Sequence, residues 1–198
     1  MRLILASQSR ARRELLEQAG LDVDVIPSGV DEPDLAGFPD LEAGLQYLAL
    51  CKAHAVRNRG AVGTILACDT VSRVQGQLLG KPTDRDDAQR MLRLLSESTH
   101  DVLTGWCLLR SRDALHIGGV ERTEITMRRW TDAEITAYLD SGEWEGRCGG
   151  YGLELPRDPF VTDIRGSAAN VIGVPLERVK QVLVEFPGLT DQNHGTHG

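Results

Sequence analysis

The chain has 198 residues, 22 Lys and Arg against 29 Asp and Glu, a formal net charge of −7, and 41% hydrophobic residues. That length suits one medium α/β domain with a substantial core. The acidic balance weighs against a broad nucleic-acid or membrane surface, while leaving room for a local basic pocket that takes a small anion.

Four cysteines, Cys51, Cys68, Cys107 and Cys148, lack any CxxC or paired Cys/His spacing. They read as reduced, mostly buried thiols, and a zinc site is not expected. No apolar run approaches membrane-spanning length. The opening Leu3-Ile4-Leu5-Ala6 is too short for the core of an export signal, so the cytoplasm is the expected compartment.

Apolar residues 3–6 predict a first strand, and Ser7-Gln8-Ser9 a polar turn. A helix follows over 10–19, with Leu15, Leu16 and Ala19 on one face and Gly20 as its stop. Residues 21–27 alternate as a strand, 30–39 form an acidic loop, and 41–57 have helical periodicity. Residues 64–68 predict a buried strand that ends at Asp69-Thr70. Residues 71–74 and 77–79 flank a Gln75-Gly76 hairpin turn.

Thr83 starts a helix with Asp86 as its capping-box partner, and Thr131 with Glu134 opens another that stops near Gly142. Between them, 100–109 and 119–127 read as paired strands. Residues 147–152 read as a flexible Gly-rich loop, 166–176 as a small-residue turn, and Pro175 as part of the first turn of a last helix. The order predicts a mixed α/β fold, a twisted mixed sheet with helices on both faces. One domain is expected over 1–187. A flexible tail over 188–198 carries His194 and His197.

Several clusters point to polyanion chemistry. Asp69 can hold a divalent cation or activate a water, and Lys81, returning after the hairpin, can neutralise phosphate oxygens. The plain alternative is a turn-capping Asp69 and an exposed Lys81. Ser7, Ser9, Arg12 and Arg13 stand at a strand-to-helix junction, where backbone N–H groups favour an anion; the alternative is a solvated helix start with Arg13 paired to a nearby acid. Asp31-Glu32 offers a metal ligand or simply an acidic turn. Lysine is scarce: Lys52, Lys81 and Lys180 stand among the 22 basic residues. That marks Lys52 and Lys81 as compact point charges arginine cannot imitate, although a lone lysine on a helix is commonly a surface charge. Arg147, before Cys148-Gly149-Gly150-Tyr151-Gly152, can add a charge beside a closely approaching backbone.

The order of these clusters resembles the Maf family of nucleoside triphosphate pyrophosphatases from Leu3 to about Leu183. The matches are Leu5 to Leu16, Val30 to Glu32, Lys52-Ala53, Asp69-Thr70-Val71, Gly80-Lys81-Pro82, Met91 to Gly105, Gly149 to Gly152 and Gly166 to Leu176. The resemblance implies an inosine-triphosphatase-like fold with a nucleotide cleft. It implies a hydrolase acting on acid anhydrides, which splits the α–β linkage of standard or modified nucleoside triphosphates into monophosphate and pyrophosphate. A divalent cation, Mg²⁺ or Mn²⁺, and a homodimer are the family expectations.

By resemblance Asp69 is the catalytic carboxylate, as proton acceptor or metal ligand. Lys52, Lys81, Ser7, Arg12 and Glu32 match phosphate- and metal-binding positions, and Thr70 and Glu154 lie near the base. Asp69-Thr70 looks like the dTTP/UTP-cleaving subgroup. The chain departs from the pattern with Arg10-Ala11 in place of Pro-Arg, Glu154 in place of Gln, and Leu155-Pro156 after it. These departures leave base preference open. A non-catalytic nucleotide-binding regulator connected with cell division is the rival that the resemblance also allows.

Overall fold

The computed structural model describes residues 2–31, 35–154 and 157–189. In chain order the elements are β1 (Arg2–Leu5), α1 (Arg10–Gln18), β2 (Asp22–Val25), α2 (Leu41–Asn58), β3 (Thr64–Val74), β4 (Gln77–Leu79) and α3 (Arg85–Leu95). Next come β5 (Thr99–Arg110), β6 (His116–Met127), α4 (Asp132–Ser141), β7 (Val161–Arg165), α5 (Ala168–Ile172) and α6 (Leu176–Glu185). Strands follow the order β2-β1-β3-β5-β6-β7 in a seven-stranded sheet, with β4 paired to β3. Parallel β1–β2 and β1–β3 pairs alongside antiparallel β3–β4 and β6–β7 pairs make it mixed, as expected.

The chain divides into two compact units. The first holds residues up to Asp69, Gly105–Val120 and the chain from Val174; the second holds Thr70–Thr104 and Glu121–Gly173.

In the first unit, strand alternation builds two cores. Leu3, Leu5, Leu66, Cys68, Trp106 and Leu108 pack with Leu16 of α1 and Val179, Val182 and Leu183 of α6. Their neighbours Ile4, Ala6, Ile65, Ala67, Cys107 and Leu109 pack with Ala49, Ala53 and Val56 of α2. Period-two side chains thus bury both faces of the strands. The chain stays packed as far as Leu189, which is fully buried and whose carbonyl accepts from Thr64 Oγ1 at 2.6 Å.

In the second unit, one core gathers Ala88, Met91, Leu92 and Leu95 of α3, Ile135 and Leu139 of α4, and Val74, Val102, Ile125 and Met127 from the strands. The Gln75-Gly76 turn has positive φ at both residues (49° and 78°), the hairpin geometry expected from the sequence. The Thr131–Glu134 capping box forms, and α4 stops at Gly142 in the left-handed conformation.

Several expectations are corrected. β3 does not end at Asp69 but continues to Val74, because Asp69 is a buried, partnered residue and need not terminate a strand. The α3 cap is Asp84, accepting from Asp87 N, one residue later than the expected Thr83–Asp86 pair. The small-residue turn contains α5, capped by Ser167, and Pro175 sits at the cap of α6 rather than inside its first turn. β7 gave no sequence signal, since its side chains are exposed or half-buried and show no apolar run. No helix among the described residues is long and apolar enough to cross a membrane.

Candidate active site

Helix α2 delivers Lys52 to β3. Its buried stripe, Leu45, Leu48, Ala49, Lys52, Ala53 and Val56, follows helical spacing, and the lysine lies within it. Asp69 has the same strand parity as Ile65 and Ala67, which face α2. The helix approaches closely because residue 105 is glycine: a Cβ there would lie 2.4 Å from the Leu45 carbonyl oxygen. Lys52 Nζ consequently donates to Asp69 Oδ1 in a buried ion pair. Asp69 Oδ2 has no hydrogen-bond partner among the described residues. Surface-charge and turn-cap readings of Lys52 and Asp69 therefore fail.

Arg12 reaches the same stretch of β3. Its Nη1 donates to the Cys68 carbonyl at 2.9 Å and to Ser7 Oγ at 3.2 Å. Ser7 Oγ also accepts from Ser9 N at 3.1 Å, and Ser9 Oγ caps Arg12 N at 3.3 Å. Two of the junction's amides thus go to serine side chains rather than to an anion, and the serines fix the turn that presents Arg12. Arg13 takes the bland course, pairing with Glu17 at 2.7 Å, and Arg10 pairs with Glu14 at 2.6 Å. Glu32, the expected metal ligand, lies outside the described residues.

Cys68, next to Asp69 in sequence, is no nucleophile: burial pushes its thiol up to about 11, against the opposing pull of Arg12 and Lys52. All four cysteines are free thiols.

In the second unit, Lys81 is exposed and has no partner among the described residues. Its turn is braced by the glycine loop: Gly149 N donates to Gly80 O at 2.8 Å, and Cys148 Sγ to Leu79 O at 3.1 Å. The expected flexible loop is thus a short 3₁₀ turn, Cys148–Gly150, with φ of +69° and +67° at its glycines. Those glycines are spent on packing: a Cβ on Gly149 would press on Leu95 and Ser72.

Arg147 folds back over Gly152 and pairs with Glu143. Glu154 is exposed, and its N–H donates to Asp158 Oδ2 at 2.9 Å. Asp158 also accepts from Tyr151 OH and from the N–H groups of Phe160 and Val161.

Half-buried Thr70 lies 2.9 Å, Oγ1 to Oγ1, from Thr104, whose hydroxyl in turn donates to the Asn170 carbonyl at 3.1 Å. Thr104 and Asn170 fall within the Met91 to Gly105 and Gly166 to Leu176 matches, but the sequence assigns neither a role of its own. The available signal was a polar residue at an inward position of β5, two after Val102.

A groove of about 390 Å³ in the second unit is lined by Arg73, Thr99, His100, Asp101, Arg122 and Glu124, among others. None of the candidate residues lines it. Arg73 and Arg122 both donate to Asp101 at 2.8 Å, and Glu124 lines the same groove, so its two cations face two carboxylates. We do not place the site there.

For a divalent cation, no cluster of three Asp, Glu, His or Cys exists among the described residues. Magnesium is normally held by one or two carboxylates together with substrate phosphates, so Asp69 Oδ2 fits such an ion without a full protein cage.

A buried Lys–Asp pair and a pinned arginine thus stand together on one strand of an α/β sheet. The Maf-like protein family model matches residues 2–186, and the chain belongs to that family. A dTTP/UTP pyrophosphatase of Anaeromyxobacter dehalogenans (strain 2CP-C) is 44% identical over 184 residues, 92% of each chain. One of Rhodopirellula baltica is 40% identical over 190 residues, covering 93% of this chain and 82% of the relative. One of Pyrococcus abyssi is 38% identical over 181 residues, covering 91% and 94%.

Proposed function

We propose that this chain is a nucleoside triphosphate pyrophosphatase. It hydrolyses the α–β linkage to release nucleoside monophosphate and pyrophosphate, with dTTP and UTP as preferred substrates. The observation that carries this reading is the buried Lys52–Asp69 pair with one carboxylate oxygen open. The activity named for the relatives supports it, and Asp69-Thr70 agrees on the base.

In this reading Lys52 orients the carboxylate, and Asp69 Oδ2 accepts a proton from the attacking water. The water oxygen bonds to the α-phosphorus as the bond to the bridging oxygen breaks, and pyrophosphate leaves. Arg12 and Lys52 offset phosphate charge as it builds, and Lys81 is assigned by its motif to the same task. In the alternative role that the resemblance allows, Asp69 Oδ2 would instead join Glu32 in holding a Mg²⁺ or Mn²⁺ ion, which when bound supplies further charge neutralisation to the phosphates. The cytoplasm and a homodimer complete the proposal.

The test is pyrophosphate release from a panel of dTTP, UTP, CTP and 7-methyl-GTP with Mg²⁺ or Mn²⁺. Release that Asp69→Asn abolishes supports the reading. Nucleotide binding without release by the wild-type chain would replace it with a binding role.

A further inference from the structure

We infer that the Cys148–Gly150 turn sets where the Lys81 ammonium stands, and that Cys148 is the positioning residue of that brace. The inference rests on the role proposed for Lys81 and deepens it.

Lys81 belongs to the connection between β4 and α3, residues 80–84. That connection has little of its own to hold it. Strand β4 has three residues, and its ladder with β3 ends at the Ser72↔Leu79 pair. At the other end Thr83 N donates to Asp87 Oδ2 at 3.1 Å, and Asp84 caps α3. Between these points Gly80, Lys81 and Pro82 make one backbone hydrogen bond among the described residues, from Gly149 N to Gly80 O at 2.8 Å. An exposed lysine on so short and loosely tied a segment needs an outside reference if its charge is to meet a phosphate at one fixed place.

One side chain and two glycines supply that reference. Cys148 Sγ donates to Leu79 O at 3.1 Å and lies 3.6 Å from Ser72 Oγ, so the sulfur spans both strands of the hairpin where their pairing ends. Gly149 and Gly150, both buried, hold φ of +69° and +67°, a conformation that glycine adopts without penalty. A Cβ on Gly149 would lie 3.3 Å from Leu95 Cδ1 and from Ser72 Oγ, and one on Gly150 would lie 3.6 Å from Pro82 Cγ. The turn therefore bears on Leu79, Gly80 and Pro82, the residues that flank Lys81 on both sides. Cys148 acts on the lysine through that backbone. A thiol is a weak donor, so losing it should shift the connection without unfolding the unit.

The test is a double-mutant cycle on pyrophosphate release from dTTP: wild type, Cys148→Ala, Lys81→Ala and both together, with Cys148→Ser as the conservative variant. Cys148→Ala should lower kcat/KM about tenfold, divided between kcat and KM as in Lys81→Ala. Cys148→Ser keeps a donor and should restore most of the loss. In the Lys81→Ala background the cysteine change should cost less than about twofold, because it acts through the lysine. Losses that simply multiply, or a Cys148→Ala enzyme as active as wild type, overturn the inference. Hydrogen exchange at the Gly80, Lys81 and Thr83 amides reads the brace without turnover. It should speed up in Cys148→Ala and not in Cys148→Ser, and unchanged exchange in Cys148→Ala also overturns the inference. A wild-type chain that releases no pyrophosphate refutes the pyrophosphatase reading, and the same cycle run on calorimetric dTTP binding then decides the brace. Release with multiplying losses refutes the brace and leaves the pyrophosphatase reading standing.

Discussion

Lys52 and Asp69 meet as an ion pair whose side chains are only 6% and 9% exposed. Each charge is buried on the strength of the other. Removing one partner of such a pair leaves an uncompensated charge and costs about 3–5 kcal/mol. Lys52→Met is therefore expected to lower stability by that order and to abolish turnover. The double variant Lys52→Met/Asp69→Leu should recover most of the stability while remaining inactive. Urea unfolding read beside pyrophosphate release checks both halves. A Lys52→Met protein as stable as wild type would show that Asp69 does not need its partner.

Lys81 gives the opposite pattern. It is exposed and has no partner among the described residues, so Lys81→Arg should leave stability within about 0.5 kcal/mol. The positive charge survives, but the compact ammonium becomes a planar fork. We expect kcat/KM to fall about tenfold or more with an unchanged unfolding curve. Unimpaired kinetics would mark the retained lysine as incidental.

Gly105 sets how closely α2 approaches the strands. A methyl group there would sit 2.4 Å from Leu45 O and 2.8 Å from Leu45 Cβ. Gly105→Ala should destabilise by about 1–3 kcal/mol, as overpacking generally does. Because α2 carries Lys52, turnover should fall as well, measured well below the unfolding transition. Thermal unfolding with parallel kinetics checks this, and a neutral result would mean the helix can shift without consequence.

His100 makes stability depend on pH. Burial lowers it to about 4, with Asp101 pulling the other way, against roughly 6.5 in the unfolded chain. The folded state thus holds the imidazole neutral, and its contribution is full above pH 6.5. As pH falls from 6.5 to about 4 the unfolded state takes up the proton first, and about 3 kcal/mol is lost over that range. His100→Gln should flatten this part of the stability–pH curve. Unfolding free energies by urea at pH 7, 5.5 and 4.5 would show it, and identical slopes for both proteins would refute the assignment.

Much of the fold was readable because its signals are local. Apolar runs gave β1 and the first half of β3, the Thr131–Glu134 spacing gave the α4 cap, and Gln75-Gly76 gave the hairpin. The motif order along the chain also carries the family resemblance. The extension of β3 through Asp69 was not readable, because a charged residue ends an apolar run unless something buries with it. That something is Lys52, seventeen residues away in sequence, and only packing brings it there.

Tertiary structure also divided the basic cluster, sending Arg12 to the Cys68 carbonyl and Arg13 to Glu17. Sequence spacing treats the two as equivalent, but they leave the helix about 100° apart. The sequence thus determined which chemical groups the protein owns and the family it belongs to. Folding decided which of those groups meet, since burial, hydrogen-bond polarity and charge pairing depend on neighbours that are distant along the chain.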